Sequence, residues 1–126
     1  MPLIRVSLRR GKPAAYRKAI LEGLYQAMRE TFDVPEGDRF MVVTEHDADD
    51  FVYDPNYLGI SRSHEALLIQ ITLNEGRTTD QKRAFYKAIA DGLHAKIDLR
   101  REDVFINLVE VKKENWSFGN GEAPYA

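Results

Sequence analysis

Hydrophobic residues recur along the chain in two patterns that predict alternating strands and helices. Four apolar-rich runs are short enough for strands: 2–8, 40–45, 66–73 and 104–111. Within each pair of runs, the intervening segment carries apolar residues at spacings of three and four, which is typical of an amphipathic helix. The second helix is predicted to begin at Thr78 or Thr79, because Thr78 and Gln81 have the spacing of a capping box.

The two halves of the chain repeat one pattern. Gly11 and Gly76 lie 65 positions apart, and the same offset, applied without a gap, aligns equivalent residues throughout. Among the aligned pairs are Leu3 with Leu68, Ile4 with Ile69, Asp38 with Asp103, Phe40 with Phe105 and Glu45 with Glu110. The chain is therefore predicted to contain one strand-helix-strand unit twice.

This repeat predicts an α/β fold of the α+β type. A strand-helix-strand crossover within one sheet makes its two strands parallel and is right-handed. Two such units predict a four-stranded mixed sheet with both helices on one face. The chain 1–126 is then one domain, divided into a unit at 2–45, a linker at 46–65, a second unit at 66–111 and a tail at 112–126.

The opposite face of this sheet has no helix to cover it. The strands contain more apolar residues than one covered face needs: Ile4, Val6, Val42, Ile69, Ile71, Ile106 and Leu108. Because an uncovered apolar face favours association, we predict a homo-oligomer.

Composition excludes several classes of function. A net charge of −2 argues against nucleic acid as the main partner, since phosphate binding needs a basic surplus. No apolar run approaches the roughly 18 residues of a membrane span. The chain has no cysteine, which excludes disulfides and thiolate chemistry. The start of the chain enters a strand pattern without a basic and apolar leader, so we expect a cytoplasmic protein.

Metal and cofactor motifs are absent from the sequence. His64-Glu65 lacks the second histidine of the zinc pattern HExxH, and the acidic residues at 46–50 do not have the spacing of a calcium loop. No phosphate loop, dinucleotide glycine motif or nucleophile elbow is present. We therefore expect neither a cofactor nor a metal.

The segment 67–82, LLIQITLNEGRTTDQK, resembles the opening of oxalocrotonate tautomerase subunits, in which a short strand runs through Glu-Gly-Arg into a capped helix. Those subunits are single strand-helix-strand units, and this chain resembles the fused version. The segments VPEGDR and WSFGNGE resemble the malonate semialdehyde decarboxylase branch of the tautomerase superfamily. Pro2 directly after Met1 matches the signature of the superfamily, so the resemblance covers nearly the whole chain.

The resemblance implies a catalytic amino-terminal proline. Removal of Met1 would leave Pro2 with a free secondary amine, and an ordinary α-amino group has a pKa of about 7.7–8.0. Burial would lower that pKa, so the amine can act as a general base or acid near neutral pH. An iminium route through a carbonyl is also open. The alternative is that Pro2 merely permits removal of the methionine.

Four further residues take roles from the resemblance, each with a plainer alternative. Arg77 would bind a substrate carboxylate, or be an exposed arginine at a helix start. Asp38 would partner Pro2, or be a turn residue at the entry to a strand. Trp116 and Phe118 would form an apolar wall that excludes water from the amine, or belong to a tail that covers the sheet edge.

The chain also departs from both relatives. The decarboxylase pattern has two arginines after the third strand, and only Arg77 is present here. The arginine on the second strand of oxalocrotonate tautomerases is replaced by Phe40 in one unit and Phe105 in the other. A second positive charge would have to come from elsewhere, for which the nearby candidates are Arg9, Arg10 and Lys12.

Taken together, the resemblance implies a cofactor-free, homotrimeric tautomerase that transfers a proton between the keto and enol forms of a small oxo acid. Two alternatives remain open at this point. One is a decarboxylase or hydratase of a small 3-oxo acid at the same site, and the other is a non-catalytic binding module that keeps the fold.

Overall fold

The computed structural model describes residues 2–126, and its helices and strands follow the predicted duplicated order. The first unit consists of β1 (Leu3–Arg9), α1 (Ala14–Phe32) and β2 (Phe40–His46). The second consists of β3 (Leu67–Asn74), α2 (Thr79–Ile97) and β4 (Val104–Val111). The predicted strands and helices are thus confirmed, with ends that differ by about one residue.

The four strands form one mixed sheet in the order β2-β1-β3-β4, which confirms the predicted fold class. The strands within each unit are parallel, and β1 pairs with β3 in the antiparallel sense. Arg5 pairs with Gln70, and the offset of 65 aligns the same two residues. An approximate two-fold axis therefore passes between these two residues. As a result, the sheet end at which β1 and β2 begin is also the end at which β3 and β4 finish.

The two helices stop in the same way and start differently. Both end at an aspartate with left-handed backbone, Asp33 with φ 54° and Asp98 with φ 55°. At the start of α2, Thr78 accepts from the Gln81 backbone and the Gln81 side chain accepts from the Thr78 backbone, so the predicted capping box is confirmed.

Within residues 2–126, no helix combines the length and the apolar character needed to cross a membrane.

The core lies between the helices and one face of the sheet, and this corrects the predicted composition of the open face. Of the seven apolar residues expected to exceed the needs of the covered face, only Val42 lies on the open face. The other six are buried in the core or packed against it: Ile4, Val6, Ile69, Ile71, Ile106 and Leu108. Side chains alternate between the two faces along each strand, and these six residues lie at positions that face the helices.

The open face is instead mixed in character. Exposed apolar side chains lie on the outer strands β2 and β4, namely Phe40, Val42, Phe105 and Val109. Between them, exposed Arg5 and Gln70 on the central strands β1 and β3 form a polar centre. The face therefore has two apolar flanks around a polar middle.

The repeat continues beyond the boundary at residue 45 that the sequence suggested. A short 3-10 turn at Ala48–Asp50 corresponds, at the same offset, to one at Lys113–Asn115. The offset also aligns Phe51 with Trp116 and Tyr53 with Phe118. The first third of the linker is thus the first unit's version of the carboxyl-terminal tail.

Candidate active site

All five residues singled out in the sequence gather at one end of the sheet, where β1 and β2 begin and β3 and β4 finish. Pro2 is buried immediately before β1, and Asp38 is buried two residues before β2. Leu3 lies opposite both Phe40 and Thr72, so the start of β1 is flanked by the entry to β2 and the exit of β3. Arg77 follows that exit, and the tail that carries Trp116 and Phe118 follows β4.

The arginine is held by the turn that follows β3. Gly76 has a φ of 122°, which side-chain-bearing residues rarely adopt, and this turns the chain so that Arg77 folds back over the end of the strand. Arg77 Nη1 donates to the Asn74 carbonyl over 3.1 Å. The guanidinium carbon lies 4.9 Å from the centre of the Phe32 ring, an arrangement that favours a cation. One edge of the guanidinium fork is thereby anchored, which leaves further donors for a ligand.

Arg77 and Asp38 influence each other's pKa. Burial raises the pKa of the Asp38 carboxyl above its usual value, and nearby positive charges, including Arg77, oppose this shift. Burial lowers the pKa of the Arg77 guanidinium, and the negative charges of Asp38 and Glu110 oppose that. An arginine remains protonated under all ordinary conditions. The site therefore contains one partly desolvated cation beside one buried carboxyl group.

The aromatic tail is fastened to the same strand end. Trp116 Nε1 donates to Asn74 Oδ1 over 2.7 Å. Trp116 stacks on Phe118 with ring centres 5.6 Å apart, and Phe118 meets Tyr125 edge to face at 5.6 Å. The tail thus forms an aromatic layer that is held to Asn74 at the end of β3.

Asn74 is the residue of this site that sequence reasoning missed. Its backbone carbonyl accepts from Arg77 and its side-chain oxygen accepts from Trp116, so it connects the cation to the aromatic layer. In the sequence, Asn74 was only part of the stretch 74–77, which contains one arginine where the decarboxylase pattern has two. A polar residue at the last position of a buried strand was the signal that could have identified it.

The suggestion that Arg9, Arg10 or Lys12 adds a second positive charge is wrong within a single chain. Arg9 lies at the opposite end of β1 from Leu3, about 20 Å away along a strand of seven residues. There Arg10 pairs with Asp47 and Lys12 pairs with Glu65. The two-fold axis moves equivalent turns to opposite ends of the sheet, which a linear alignment does not reveal.

The chain is similar to known tautomerases over almost its full length. A family model described as tautomerase enzyme matches residues 38–119, and a second model with the same description matches residues 2–60. The Bacillus subtilis protein named "Probable tautomerase YusQ" is 41% identical over 123 residues, which cover 98% of this chain and 97% of that protein. "Probable tautomerase YrdN" from the same organism is 30% identical over 99% of this chain and 96% of that protein.

Solved structures with the same fold include two malonate semialdehyde decarboxylases. One is 32% identical with a TM-score of 0.91, covering 98% of this chain and 95% of that chain. The other, inhibited by 3-bromopropiolate, is 35% identical with a TM-score of 0.91 and covers 98% and 93%. A native fused 4-OT, at 20% identity, 96% and 95% coverage and a TM-score of 0.79, shares the fold. The chain thus belongs to the tautomerase superfamily and is an enzyme of the isomerase or lyase type.

Proposed function

We propose that this enzyme transfers a proton between carbon and oxygen of a small oxo acid, with Pro2 as the general acid and base. Met1 lies outside the described residues, and its removal, which frees the Pro2 amine, is part of the proposal. Arg77 binds the substrate carboxylate, and Asp38 orients the amine. The observation that carries the proposal is the burial of Pro2 and Asp38 at the same sheet end as the half-buried Arg77.

The electrostatics of this sheet end suit proton transfer near neutral pH. An amino-terminal amine has an ordinary pKa of about 7.7–8.0. Burial of Pro2 lowers that pKa, whereas the negative charge of an ionised Asp38 raises it, so the two effects oppose each other. The amine can then accept a proton from the substrate carbon or enol oxygen and return it to the other atom. Trp116 and Phe118 limit the access of water to the reacting atoms.

Decarboxylation of a small 3-oxo acid is the second candidate, and the similarity to malonate semialdehyde decarboxylase over 98% of this chain favours it. In that reaction the bond to the departing carboxylate breaks, carbon dioxide leaves, and the resulting enolate takes a proton from the protonated Pro2 amine. Hydration of a three-carbon acid would use the same residues. The turn after β3 supplies one arginine, Arg77. A carboxylate bound by Arg77 is held rather than released, which favours tautomerisation over decarboxylation.

One experiment tests the proposal and separates the two candidates. We expect wild-type protein to accelerate ketonisation of a 2-oxo-acid enol, followed by ultraviolet absorbance, more than loss of carbon dioxide from a 3-oxo acid. Arg77→Gln is expected to raise KM for the enol by about 10- to 100-fold, because a charge-assisted hydrogen bond contributes roughly 1.5–3 kcal/mol.

The matched control is Arg83→Gln, which removes an exposed arginine that pairs with Asp80 on α2. Its KM should equal that of the wild type. Faster loss of carbon dioxide than ketonisation would favour the decarboxylase. Rates equal to buffer with both substrates, or an unchanged KM in Arg77→Gln, would contradict the proposal.

We further propose that three copies associate through the open sheet face. The apolar flanks of that face, at Phe40, Val42, Phe105 and Val109, are exposed in the single chain. One solved fused 4-OT is a symmetric trimer, which supports the number three. Light scattering at micromolar concentration should give about three times the chain mass of 14.5 kDa.

Val42→Asp places a charge on this face and should shift the measured mass towards that of one chain. Leu58→Asp changes an equally apolar residue in the linker that is 77% exposed, and it should leave the assembly intact. A monomeric wild type, or equal masses for both variants, would count against this interface.

A further inference from the structure

The two-fold axis creates a second version of the candidate site at the opposite end of the sheet. The offset of 65 aligns its residues with those already described: Arg9 with Asn74, Lys12 with Arg77, Phe51 with Trp116, Tyr53 with Phe118, and Asp103 with Asp38. Leu67 stands where the first site has Pro2, and it is joined to Ala66 by a peptide bond. This second end therefore has no α-amine and cannot carry out the chemistry proposed for Pro2.

The linker fills the inner part of this second end. The carboxylate of Asp103, which is buried, accepts from the Ser63 backbone N–H over 2.7 Å and from the Ser63 hydroxyl over 2.6 Å. Glu65 forms an ion pair with Lys12. The equivalents of Asp38 and Arg77 thus both have partners from the linker.

A cavity of about 410 Å³ remains beside these pairs, between the end of β1 and the linker. Its principal lining residues are three bases and three apolar or aromatic residues: Arg9, Arg62, His64, Phe51, Tyr53 and Pro55. No acidic side chain is among the described residues that line it. A volume in this range and a lining that is apolar with a few polar groups are typical of sites for small molecules.

Arg9 is the polar centre of this cavity. Its Nη1 donates to His64 Nδ1 over 2.7 Å, and its guanidinium carbon lies 5.8 Å from the centre of the Tyr53 ring. Its Nε is buried and has no hydrogen-bond partner among residues 2–126, and no carboxylate in that range forms an ion pair with it. Because Nε is closed to solvent, an anion would reach the guanidinium through its Nη donors, of which Nη1 also contacts His64.

The other two bases support the same interpretation. Arg62 Nη1 donates to the carbonyls of Asp54, Tyr57 and Ile60, which fixes its position but does not neutralise its charge. Because Arg9 donates to Nδ1 of His64, that imidazole must carry its hydrogen on Nε2, which makes it a further donor. The cavity therefore offers positive charge and donors without an internal acid.

We propose that this cavity binds a small planar carboxylate, such as an aromatic acid, at a site separate from the Pro2 end. The carboxylate binds the outer Nη edge of the Arg9 guanidinium, whose fork geometry matches its two oxygens. The ring of the ligand packs against Phe51 and Tyr53, which meet edge to face with centres 5.5 Å apart. This proposal does not depend on the chemistry assigned to Pro2.

Titration of the protein with benzoate, followed by amide NMR, tests the site directly. Saturable shifts are expected at residues 51–53 and 62–64, and Arg77→Ala should leave the affinity measured there unchanged. Arg9→Gln should weaken that affinity at least tenfold. Arg10→Gln is the matched control, because Arg10 is the neighbouring arginine and pairs with Asp47. Benzyl alcohol, which lacks the charge, should produce no saturable shift.

A second variant covers the case in which Arg9→Gln fails to fold. Ala48→Trp introduces a large ring from an exposed position that lines the cavity, and it should abolish the benzoate shifts while leaving the core intact. The proposal is overturned if the linker amides do not respond to benzoate. It is also overturned if benzyl alcohol binds equally well, or if Ala48→Trp and a folded Arg9→Gln bind as tightly as the wild type.

Discussion

Replacement of Pro2 with alanine is expected to lower kcat/KM for the oxo-acid reaction on the order of 10²-fold. Alanine is small, so Met1 should still be removed, and the variant keeps a primary amine at the same position. It loses the ring that makes the amine secondary and holds its direction at the start of β1. The expected loss is therefore at the lower end of the range for a positioned acid or base. Steady-state kinetics after intact-mass confirmation of the amino terminus measure it.

Two controls make this result interpretable. Circular dichroism and light scattering should be unchanged, because Pro2 precedes β1 and supplies no backbone hydrogen to the sheet. The pH dependence of kcat/KM should also move with the pKa of the new amine, which a purely structural role would not cause. Equal rates in both proteins, with Met1 absent from each, would mean that Pro2 is not the acid or base.

Replacement of Phe85 with alanine is expected to destabilise the fold by about 3–5 kcal/mol. Phe85 on α2 is fully buried, and its ring centre lies 4.2 Å from that of Phe32 on α1. The substitution removes a large apolar side chain and leaves a cavity where the two helices meet. For a chain of 126 residues, the melting temperature should fall by about 10–20 °C, measured at equal protein concentration by calorimetry.

The neighbouring residue Tyr86 supplies the matched control, since it has an aromatic ring on the same helix but is 37% exposed. Tyr86→Ala should change the stability by roughly 0.5–1 kcal/mol. A similar loss from both variants would contradict the packing described. Phe32 also lies against the Arg77 guanidinium, so the cavity left by Phe85→Ala forms directly behind the candidate carboxylate-binding residue.

Most of the fold could be predicted from the sequence because its determinants are local. Spacings of two, three and four along the chain set strands and helices, and the Thr78–Gln81 capping box needs only four consecutive residues. The assignment of Ile4 or Ile69 to a face of the sheet was different. An apolar residue in a strand gives the same sequence pattern on either face of the sheet. Only packing against α1 and α2 shows which face is covered.

The candidate site was predictable only in part. Pro2, Asp38 and Arg77 were singled out through a resemblance, and their catalytic roles stay predictions. The importance of Asn74 was not predictable, because its two contacts join residues that are 3 and 42 positions away along the chain. The alignment of Phe51 with Trp116 was present in the sequence, but it became meaningful only with matching 3-10 turns before both residues.

The sequence by itself determined that this protein is a duplicated strand-helix-strand unit, because apolar periodicity and a constant offset are properties of the linear chain. The tertiary structure decided which residues of the two units lie at the same end of the sheet. Antiparallel pairing of β1 with β3 places Arg5 opposite Gln70. The two copies of each equivalent turn therefore lie at opposite ends of the sheet. Arg77 therefore lies at the Pro2 end and Arg9 at the other, since hydrogen bonding between distant strands, and not spacing along the chain, sets that register.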